Sequence, residues 1–313
     1  MKRICTVCTP GPVTAKDLLH KLQNQFIPSD VKALDQCLRG GFRIGTITEI
    51  VGRAGVGKTQ LVMQICVVAA RLGYGSIFID TEKKLSLQRL HEIARERSKL
   101  NFSVEDSVRN DGNNNSTKDQ EVCDYSRPAE VMKNIIVHSP TSTDELLSVV
   151  SQLDEEIIIR SEPPSSFEDS SDAKLPIKVI ILDSIAAPTR RDFGGGSAPQ
   201  RVAAIFQLAQ TLKRVADQMQ VAVIVINQID KVHSAPVDQP SEGDFSSVTA
   251  ALGTSWHHCV STRIALEHYH DPHNTSALEG DRVRTASVVK SNLVGQSRMM
   301  FEVTMMGICQ VNC

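Results

Sequence analysis

Eight residues at positions 52–59 read Gly-Arg-Ala-Gly-Val-Gly-Lys-Thr, the pattern of a glycine-rich loop that binds nucleotide phosphates. An apolar strand-like run at 46–51 precedes them, and an apolar helical pattern at 60–71 follows. Glycines let the backbone turn tightly enough to point several N–H groups at phosphate oxygens, at the positive end of the next helix. The sequence therefore predicts that the chain binds a nucleoside triphosphate.

This loop assigns roles to two of its side chains. Lys58 is expected to reach the β and γ phosphates, and the Thr59 hydroxyl to hold Mg²⁺. Asp183 ends the apolar run at 178–183, so it falls at the carboxyl edge of the sheet, where α/β proteins bind ligands. Downstream of a phosphate loop, such an aspartate orders magnesium through water. We predict ATP and Mg²⁺ as cofactors, with Thr59 and Asp183 as the magnesium residues.

Two further strand-like runs end in polar side chains that suit nucleotide chemistry. The run at 76–80 leads into Glu82, which is a candidate base to orient water in line with the γ phosphate. The run at 221–226 leads into Gln228, an uncharged amide that can contact the γ phosphate and report the nucleotide state. The predicted catalytic residues are Glu82, Lys58 and Gln228.

From the phosphate loop onward, strand-like and helical patterns alternate. Strand-like runs at 76–80, 134–138, 178–183 and 221–227 are separated by helical patterns at 85–97, 143–158 and 199–218. This alternation predicts an α/β fold with a central, mostly parallel sheet flanked by helices. The runs at 261–268, 282–289 and 299–304 have no helical pattern between them, so we expect a C-terminal β meander.

Composition divides the chain and restricts its environment. We expect an N-terminal tail or linker at 1–30 and a core at 31–313, with flexible polar insertions at 106–128 and 161–174. Thirty-four basic and 36 acidic residues give a net charge of -2, so contacts with nucleic acid have to be local. The first residues lack an apolar signal region and no run of 18 apolar residues occurs, which predicts an intracellular protein without membrane insertion.

Four motifs in order, GRAGVGKT, FIDTE, VIILDS and VIVINQ, make the chain resemble the RecA-type recombinase family from about residue 31 onward. The resemblance implies a RecA-like P-loop ATPase core in which Glu82 activates water and Gln228 couples the nucleotide to DNA-binding loops. It also implies that Arg89, in the segment LSLQRL, stacks on adenine. The expected nucleotide-binding residues are Gly52, Arg53, Ala54, Gly55, Val56, Gly57, Lys58, Thr59, Gln60, Arg89 and Asp183.

Two DNA-binding loops of that family correspond to 186–198 and 230–249 in this chain. In the first, Arg190, Arg191 and Phe193 suit phosphate contact and base stacking, although an arginine pair is also an ordinary solvated charge pair. The second contains Lys231 but is acidic overall, which is unfavourable for binding single strands. The predicted DNA-binding residues are Arg190, Arg191, Phe193 and Lys231.

Six short segments resemble the eukaryotic paralogues of the strand-exchange recombinase more than the recombinase itself: LRGG, ITEIVGR, DSIAAP, SAPQR, ALGTSW and GICQV. This resemblance implies a nuclear, partly cytoplasmic mediator of homologous-recombination repair of double-strand breaks and crosslinks, with DNA-dependent ATPase activity that is weak alone. The implied partners are single-stranded or branched DNA, a sister paralogue (C type) and the strand-exchange recombinase. Two alternatives stay open, a non-catalytic nucleotide-bound scaffold subunit and a B-type or C-type sister paralogue.

Overall fold

The protein's fold is given by a computed structural model that describes residues 14, 25–108, 127–161, 174–193, 198–228, 252–269 and 282–311. The elements in chain order are β1 (Phe26–Ile27), α1 (Lys32–Cys37), β2 (Phe42–Arg43), β3 (Ile47–Gly52), α2 (Lys58–Arg71), β4 (Gly75–Asp80), α3 (Leu87–Val108), α4 (Pro128–Lys133), β5 (Ile135–His138), α5 (Thr143–Ser161), β6 (Ile177–Asp183), α6 (Ala186–Asp192), α7 (Ala198–Met219), β7 (Ala222–Gln228), α8 (Gly253–Cys259), β8 (Thr262–His268), β9 (Arg284–Ser291), β10 (Ser297–Thr304) and β11 (Gly307–Gln310).

The central sheet has the strand order β11-β10-β9-β8-β3-β7-β6-β4-β5. All pairs from β8 to β5 are parallel, whereas β8, β9, β10 and β11 pair antiparallel with one another in succession. The predicted mostly parallel sheet and the predicted C-terminal β meander are both confirmed. The meander is continuous with the parallel part because β8 pairs with β3 on one side and with β9 on the other.

Strand register brings the predicted site residues to one edge of the sheet. Gly52 pairs with Gln228 between β3 and β7, and Asp80 pairs with Asp183 between β4 and β6. Asp183 in turn pairs with Ile226 of β7. Because parallel strands end together, the phosphate loop and the polar residues that follow β4, β6 and β7 share the carboxyl edge of the sheet.

Helices cover both faces of the parallel strands, and side chains alternate between two cores. In β6, Val179 and Ile181 pack into the core beneath α2, α3 and α4, whereas Ile180 and Leu182 pack into the core beneath α5, α7 and α8. Every residue of β3 and β4 is buried. A strand with both faces covered reads as a continuous apolar run, which explains the unbroken runs of the sequence. In the part of the chain that the structure describes, no helix is long and apolar enough to cross a membrane.

Packing extends into the segment at 25–30, which was expected to belong to a tail. Ile27 is fully buried in the first core, and β1 pairs with β2. The buried Gln64 of α2 donates from Nε2 to the carbonyl oxygen of Ser29 at 2.6 Å and accepts from the backbone N–H of Ile308 at 2.7 Å. This one side chain therefore links the first described strands to the last.

Two helices differ from the sequence expectation: α3 is longer than predicted, and α6 was not predicted. Helix α3 continues to Val108, into the segment expected to be an insertion, and residues 109–126 and 162–173 of the two expected insertions lie outside the described residues. Helix α6 occupies 186–192 of the segment 186–198 that was expected to be a DNA-binding loop. Its proline, Pro188, is compatible with a helix because it falls in the first turn, where the backbone N–H groups have no intrahelical partner.

Candidate active site

The phosphate loop connects β3 to α2 in a backbone conformation that needs glycine. Gly52 ends β3, and a Cβ at this position would lie 2.5 Å from the carbonyl oxygen of Leu266 on the neighbouring strand β8. Gly57 has φ 106° and is the N-cap of α2. Arg53, Ala54 and Gly55 between them are exposed, whereas Val56 is buried. The loop is thus fixed at its ends and open in the middle.

Lys58, the first residue of α2, folds back over the loop. Its ammonium donates to the carbonyl oxygen of Gly52 at 2.8 Å and to that of Arg53 at 2.7 Å, and the residue is only 7% exposed. A buried ammonium is stable only with such partners or with an anion. The loop therefore holds the predicted phosphate-binding cation in place.

The two predicted magnesium residues lie in direct contact. The Thr59 hydroxyl donates to Asp183 Oδ2 at 2.7 Å, across the gap between α2 and the end of β6. Burial raises the pKa of Asp183 to about 6, with a further contribution from the negative charges of Glu82 and Asp80. A divalent cation would remove this penalty, and carboxylate and hydroxyl oxygens are the ligands that Mg²⁺ prefers. The pair fits the role predicted for it.

Glu82 stands in a turn that Asp80 organises. Asp80 accepts hydrogen bonds from the backbone N–H groups of Glu82 at 3.2 Å, Lys84 at 3.1 Å and Leu85 at 2.8 Å. One carboxylate oxygen of Glu82 accepts from the Ser184 hydroxyl at 2.9 Å, and the other accepts from the Lys84 ammonium. Burial opposes the ionisation of Glu82, but these hydrogen bonds and the charges of Lys84 and Arg190 outweigh it, so its pKa lies below the usual value. The group is a carboxylate at neutral pH.

The end of β7 carries the predicted Gln228, which is half-buried, after a fully buried Asn227. The amide of Asn227 donates to Glu49 Oε1 at 2.9 Å, and Arg263 of β8 donates to Glu49 Oε2 at 2.7 Å. Glu49 and Arg263 are 0% and 3% exposed. Sequence reasoning missed this buried polar network, since its members lie on three strands far apart in the chain. It fixes β7 against β3 immediately before Gln228.

A cleft of about 480 Å³ lies beside the phosphate loop, on the α2 side of the sheet. Arg89 of α3 reaches it and donates from Nε to Gln60 Oε1 at 2.7 Å and from Nη1 to the carbonyl oxygen of Met305 at 3.1 Å. The residues that line the cleft are Gly55, Gly57, Gln60, Arg89, Arg284, Val303, Thr304 and Met305. Predicted nucleotide-binding residues from two helices thus meet in one concave surface.

Arg284, at the start of β9, is a cleft residue that sequence reasoning missed. Its Nη1 donates to the carbonyl oxygen of Arg282 at 3.2 Å, while its buried Nε has no hydrogen-bond partner among the described residues. Ala286 and Val288 of the same strand pack into the first core, so residue 284 faces the same side, above the loop. The only sequence signal for this placement is the two-residue period of the strand.

Of the four residues predicted to bind DNA, the structure describes three, and these lie at the end of α6. Arg190 and Arg191 lie in the last turn of α6, and Phe193 follows it half-buried. The Arg190 guanidinium donates to the carbonyl oxygen of Gln228 at 3.3 Å. Lys231, with the rest of the second expected loop, lies outside the described residues. The structure thus brings Arg190 to Gln228 at the carboxyl edge of the sheet.

The fold and this site define a RecA-type nucleotide-binding protein. The family model described as Rad51 matches residues 23–157 and 167–310, and the chain therefore belongs to the Rad51 family. The resemblance to the RecA-type recombinases is confirmed.

Several curated relatives narrow the comparison to paralogues. The human "DNA repair protein RAD51 homolog 2" is 28% identical over 85% of this chain and 67% of its own length. The Arabidopsis thaliana "DNA repair protein XRCC3 homolog" is 25% identical over 96% of this chain and 98% of its own length. The "DNA repair protein rhp57" of Schizosaccharomyces pombe is 26% identical over 83% of this chain and 71% of its own length. The six short segments identified in the sequence resemble X-ray repair cross-complementing protein three. The comparisons agree, since the chain is similar both to the XRCC3 homolog and to RAD51 homolog 2.

Proposed function

We propose that the chain is an ATP-dependent, DNA-binding recombination mediator that acts in homologous-recombination repair of double-strand breaks and crosslinks. The observation that carries this proposal is the meeting of Lys58, the Thr59–Asp183 pair and Glu82 at one edge of the sheet. Membership of the Rad51 family and the DNA repair names of its relatives support the biological role. ATP hydrolysis is weak for the chain alone and rises with DNA.

In the proposed site, the phosphate loop binds the triphosphate through its backbone N–H groups, and Lys58 exchanges its loop carbonyl partners for phosphate oxygens. Thr59 and Asp183 would hold Mg²⁺, which supplies positive charge against the phosphates. Arg89 and Gln60 receive the base end of the nucleotide in the cleft. Arg284 adds a guanidinium whose buried Nε lacks a partner among the described residues.

Glu82 orients water for attack on the γ phosphate. Its lowered pKa keeps it a carboxylate at neutral pH, as an acceptor for a water proton has to be. The Ser184 hydroxyl holds one carboxylate oxygen in place. Gln228 ends β7 at the same edge of the sheet. It couples the nucleotide state to the segment that follows, which contains Lys231, a proposed DNA-binding residue.

We infer that the chain works in the nucleus, with a cytoplasmic fraction, in a complex with a sister paralogue, expected to be the C type, and with the strand-exchange recombinase. Its DNA is single-stranded or branched. The proposed first DNA-binding segment is 186–198, in which Arg190 and Arg191 end α6 and Phe193 follows it. Two relatives named as DNA repair proteins match this chain over most of their length and support a role in DNA repair.

A non-catalytic scaffold is the second candidate, and one observation favours it. Both carboxylate oxygens of Glu82 are engaged, by Ser184 and by Lys84, and a carboxylate that is held by an ammonium is a weaker base. In that case, the nucleotide only stabilises the fold and a partner interface.

Lys58→Ala separates the two candidates. The variant should lose binding of a fluorescent ATP analogue, because the substitution removes the buried Lys58 ammonium that is proposed to contact the phosphates. The control is Lys99→Ala, since Lys99 forms a surface ion pair with Glu96 on α3. In cells that lack the protein, a Lys58→Ala chain that folds and binds its partner but fails to restore repair supports the ATP-dependent mediator. Restored repair with normal partner binding would instead establish the scaffold.

A further inference from the structure

The two arginines at the end of α6 make different contacts, and Arg191 is bound to backbone carbonyls rather than directed only to solvent. Its Nη2 donates to the carbonyl oxygen of Thr141 at 3.0 Å and to that of Thr81 at 3.3 Å. The next residue, Asp192, accepts from the backbone N–H of Thr143 at 2.5 Å, at the first turn of α5. The end of α6 is therefore attached both to the residue after β4 and to the segment that begins α5.

Thr81 is the residue immediately before the proposed base, Glu82. The carbonyl group of Thr81 and the N–H group of Glu82 therefore form one planar peptide unit. The other groups of Thr81 are already fixed to the end of β6. Its backbone N–H donates to the carbonyl oxygen of Asp183 at 2.9 Å, and its hydroxyl accepts from the N–H of Ser184 at 2.9 Å and donates to the Ser184 carbonyl oxygen at 2.7 Å. Arg191 supplies the hydrogen bond to the remaining carbonyl.

Arg191 holds the carbonyl half of the Thr81–Glu82 peptide, and Asp80 holds its N–H half at 3.2 Å. Together these bonds fix the plane of the peptide and thereby the direction in which the Glu82 side chain leaves the backbone. In that direction, one carboxylate oxygen of Glu82 accepts from the Ser184 hydroxyl at 2.9 Å. A catalytic group that is misplaced by about 1 Å loses on the order of a hundredfold in rate. The Arg191 guanidinium is thus placed to set the activity of a residue that it does not touch.

On its other side, Arg191 is two residues from Phe193, the first residue of the segment 193–197 that joins α6 to α7. Nucleic acid bound at Phe193 would act on the last turn of α6. That turn carries the guanidinium that holds Thr81. Arg190 extends the connection to β7 through the carbonyl oxygen of Gln228.

We propose that Arg191 is a positioning residue that holds the Glu82 turn and transmits DNA binding at the end of α6 to ATP hydrolysis, rather than a DNA contact. This inference rests on the proposed function for its hydrolytic part. Its positioning part concerns the nucleotide-free chain alone, so the two parts can fail separately.

The test compares Arg191→Met, which keeps length but removes donors and charge, with Arg191→Lys and with Lys213→Met. Lys213 is an exposed cation on α7 and serves as the charge-matched control. With single-stranded DNA, Arg191→Met should lower kcat for ATP at least tenfold, with KM for ATP and the Kd for labelled DNA within twofold of wild type. Arg191→Lys should recover part of kcat, because an ammonium can still donate to one carbonyl. Lys213→Met should match wild type.

Hydrogen exchange of the peptide that covers residues 80–86 tests positioning without turnover or DNA. Arg191→Met should exchange at least threefold faster there, with its Tm and the exchange of the β7 peptide unchanged. Unchanged exchange at 80–86 would overturn the proposal, whether or not the chain hydrolyses ATP. A weakened DNA Kd with a normal kcat at saturating DNA would also overturn it and make Arg191 a DNA contact. If wild type shows no turnover while the exchange result holds, the hydrolytic function fails and the positioning role stands.

Discussion

Asp183→Asn is predicted to make the nucleotide-free protein more stable while removing its response to magnesium. Burial raises the pKa of Asp183 from 3.8 to about 6, so the folded chain disfavours the carboxylate that the unfolded chain carries at neutral pH. A pKa difference of about two, at about 1.4 kcal/mol for each, gives about 3 kcal/mol of lost stability at pH 7. Asparagine keeps an acceptor for the Thr59 hydroxyl without the charge.

The pH dependence fixes the sign of this effect. Between pH 3.8 and about 6, the folded chain binds more protons at Asp183 than the unfolded chain does, so the contribution of this residue to stability falls as pH rises through that window. Above pH 6 its full cost is present. The advantage of Asp183→Asn over wild type should thus be small near pH 4 and reach about 3 kcal/mol at pH 7.5.

Urea denaturation of both proteins at pH 4.5, 6 and 7.5, without nucleotide, measures this advantage. Asp217→Asn, on the exposed surface of α7, is the control and should change the free energy of unfolding by at most about 0.5 kcal/mol. With Mg²⁺ and ATP the order should reverse, since wild type alone gains stability from the cation. A variant that is less stable than wild type at pH 7.5 without nucleotide would refute the reasoning.

Two further predictions concern residues that the sequence did not reveal. Arg284→Gln should raise the Kd for ATP about tenfold, as loss of a hydrogen bond between charged groups does, in a fluorescence titration with Arg298→Gln of the same hairpin as control. An unchanged Kd would place the nucleotide elsewhere. Arg263→Met should lower the free energy of unfolding by about 3–5 kcal/mol, because it leaves the buried Glu49 carboxylate without its cation, and Glu49→Met in the same chain should restore most of this loss. Urea denaturation measures both, and a loss below about 1 kcal/mol for the single variant would show that the pair is dispensable.

The sequence was sufficient to predict the strands of the parallel sheet and the polar residues at their carboxyl ends. Unbroken apolar runs predicted strands such as β6 because both faces of the parallel sheet are covered by helices. The polar residue that ends each run, such as Asp183 after β6, necessarily falls at the carboxyl edge. The direct contact of Thr59 with Asp183, 124 residues away, follows from a loop and a strand end that meet at this edge.

The parts that the sequence did not predict are contacts between distant segments. The Glu49–Arg263 pair joins residues 214 positions apart, and each partner alone reads as an ordinary polar residue in an apolar run. Arg89 was expected from a resemblance, but its bond to the Met305 carbonyl depends on how α3 packs against the last hairpin. The short helix α6 was not expected because the segment 186–198 corresponds to a DNA-binding loop of the family that the chain resembles, and Pro188 fits a helix there only because it lies in the first turn.

ATP hydrolysis by the purified protein, with and without single-stranded DNA, is the most direct test of the central proposal when wild type is compared with Glu82→Gln. Glutamine keeps the size and the Ser184 hydrogen bond but cannot accept a proton from water. We predict that DNA raises turnover of wild type and that Glu82→Gln lowers it at least about a hundredfold, with ATP affinity unchanged. ATP binding without turnover by wild type, even with DNA, would contradict the proposal and leave a nucleotide-bound scaffold subunit.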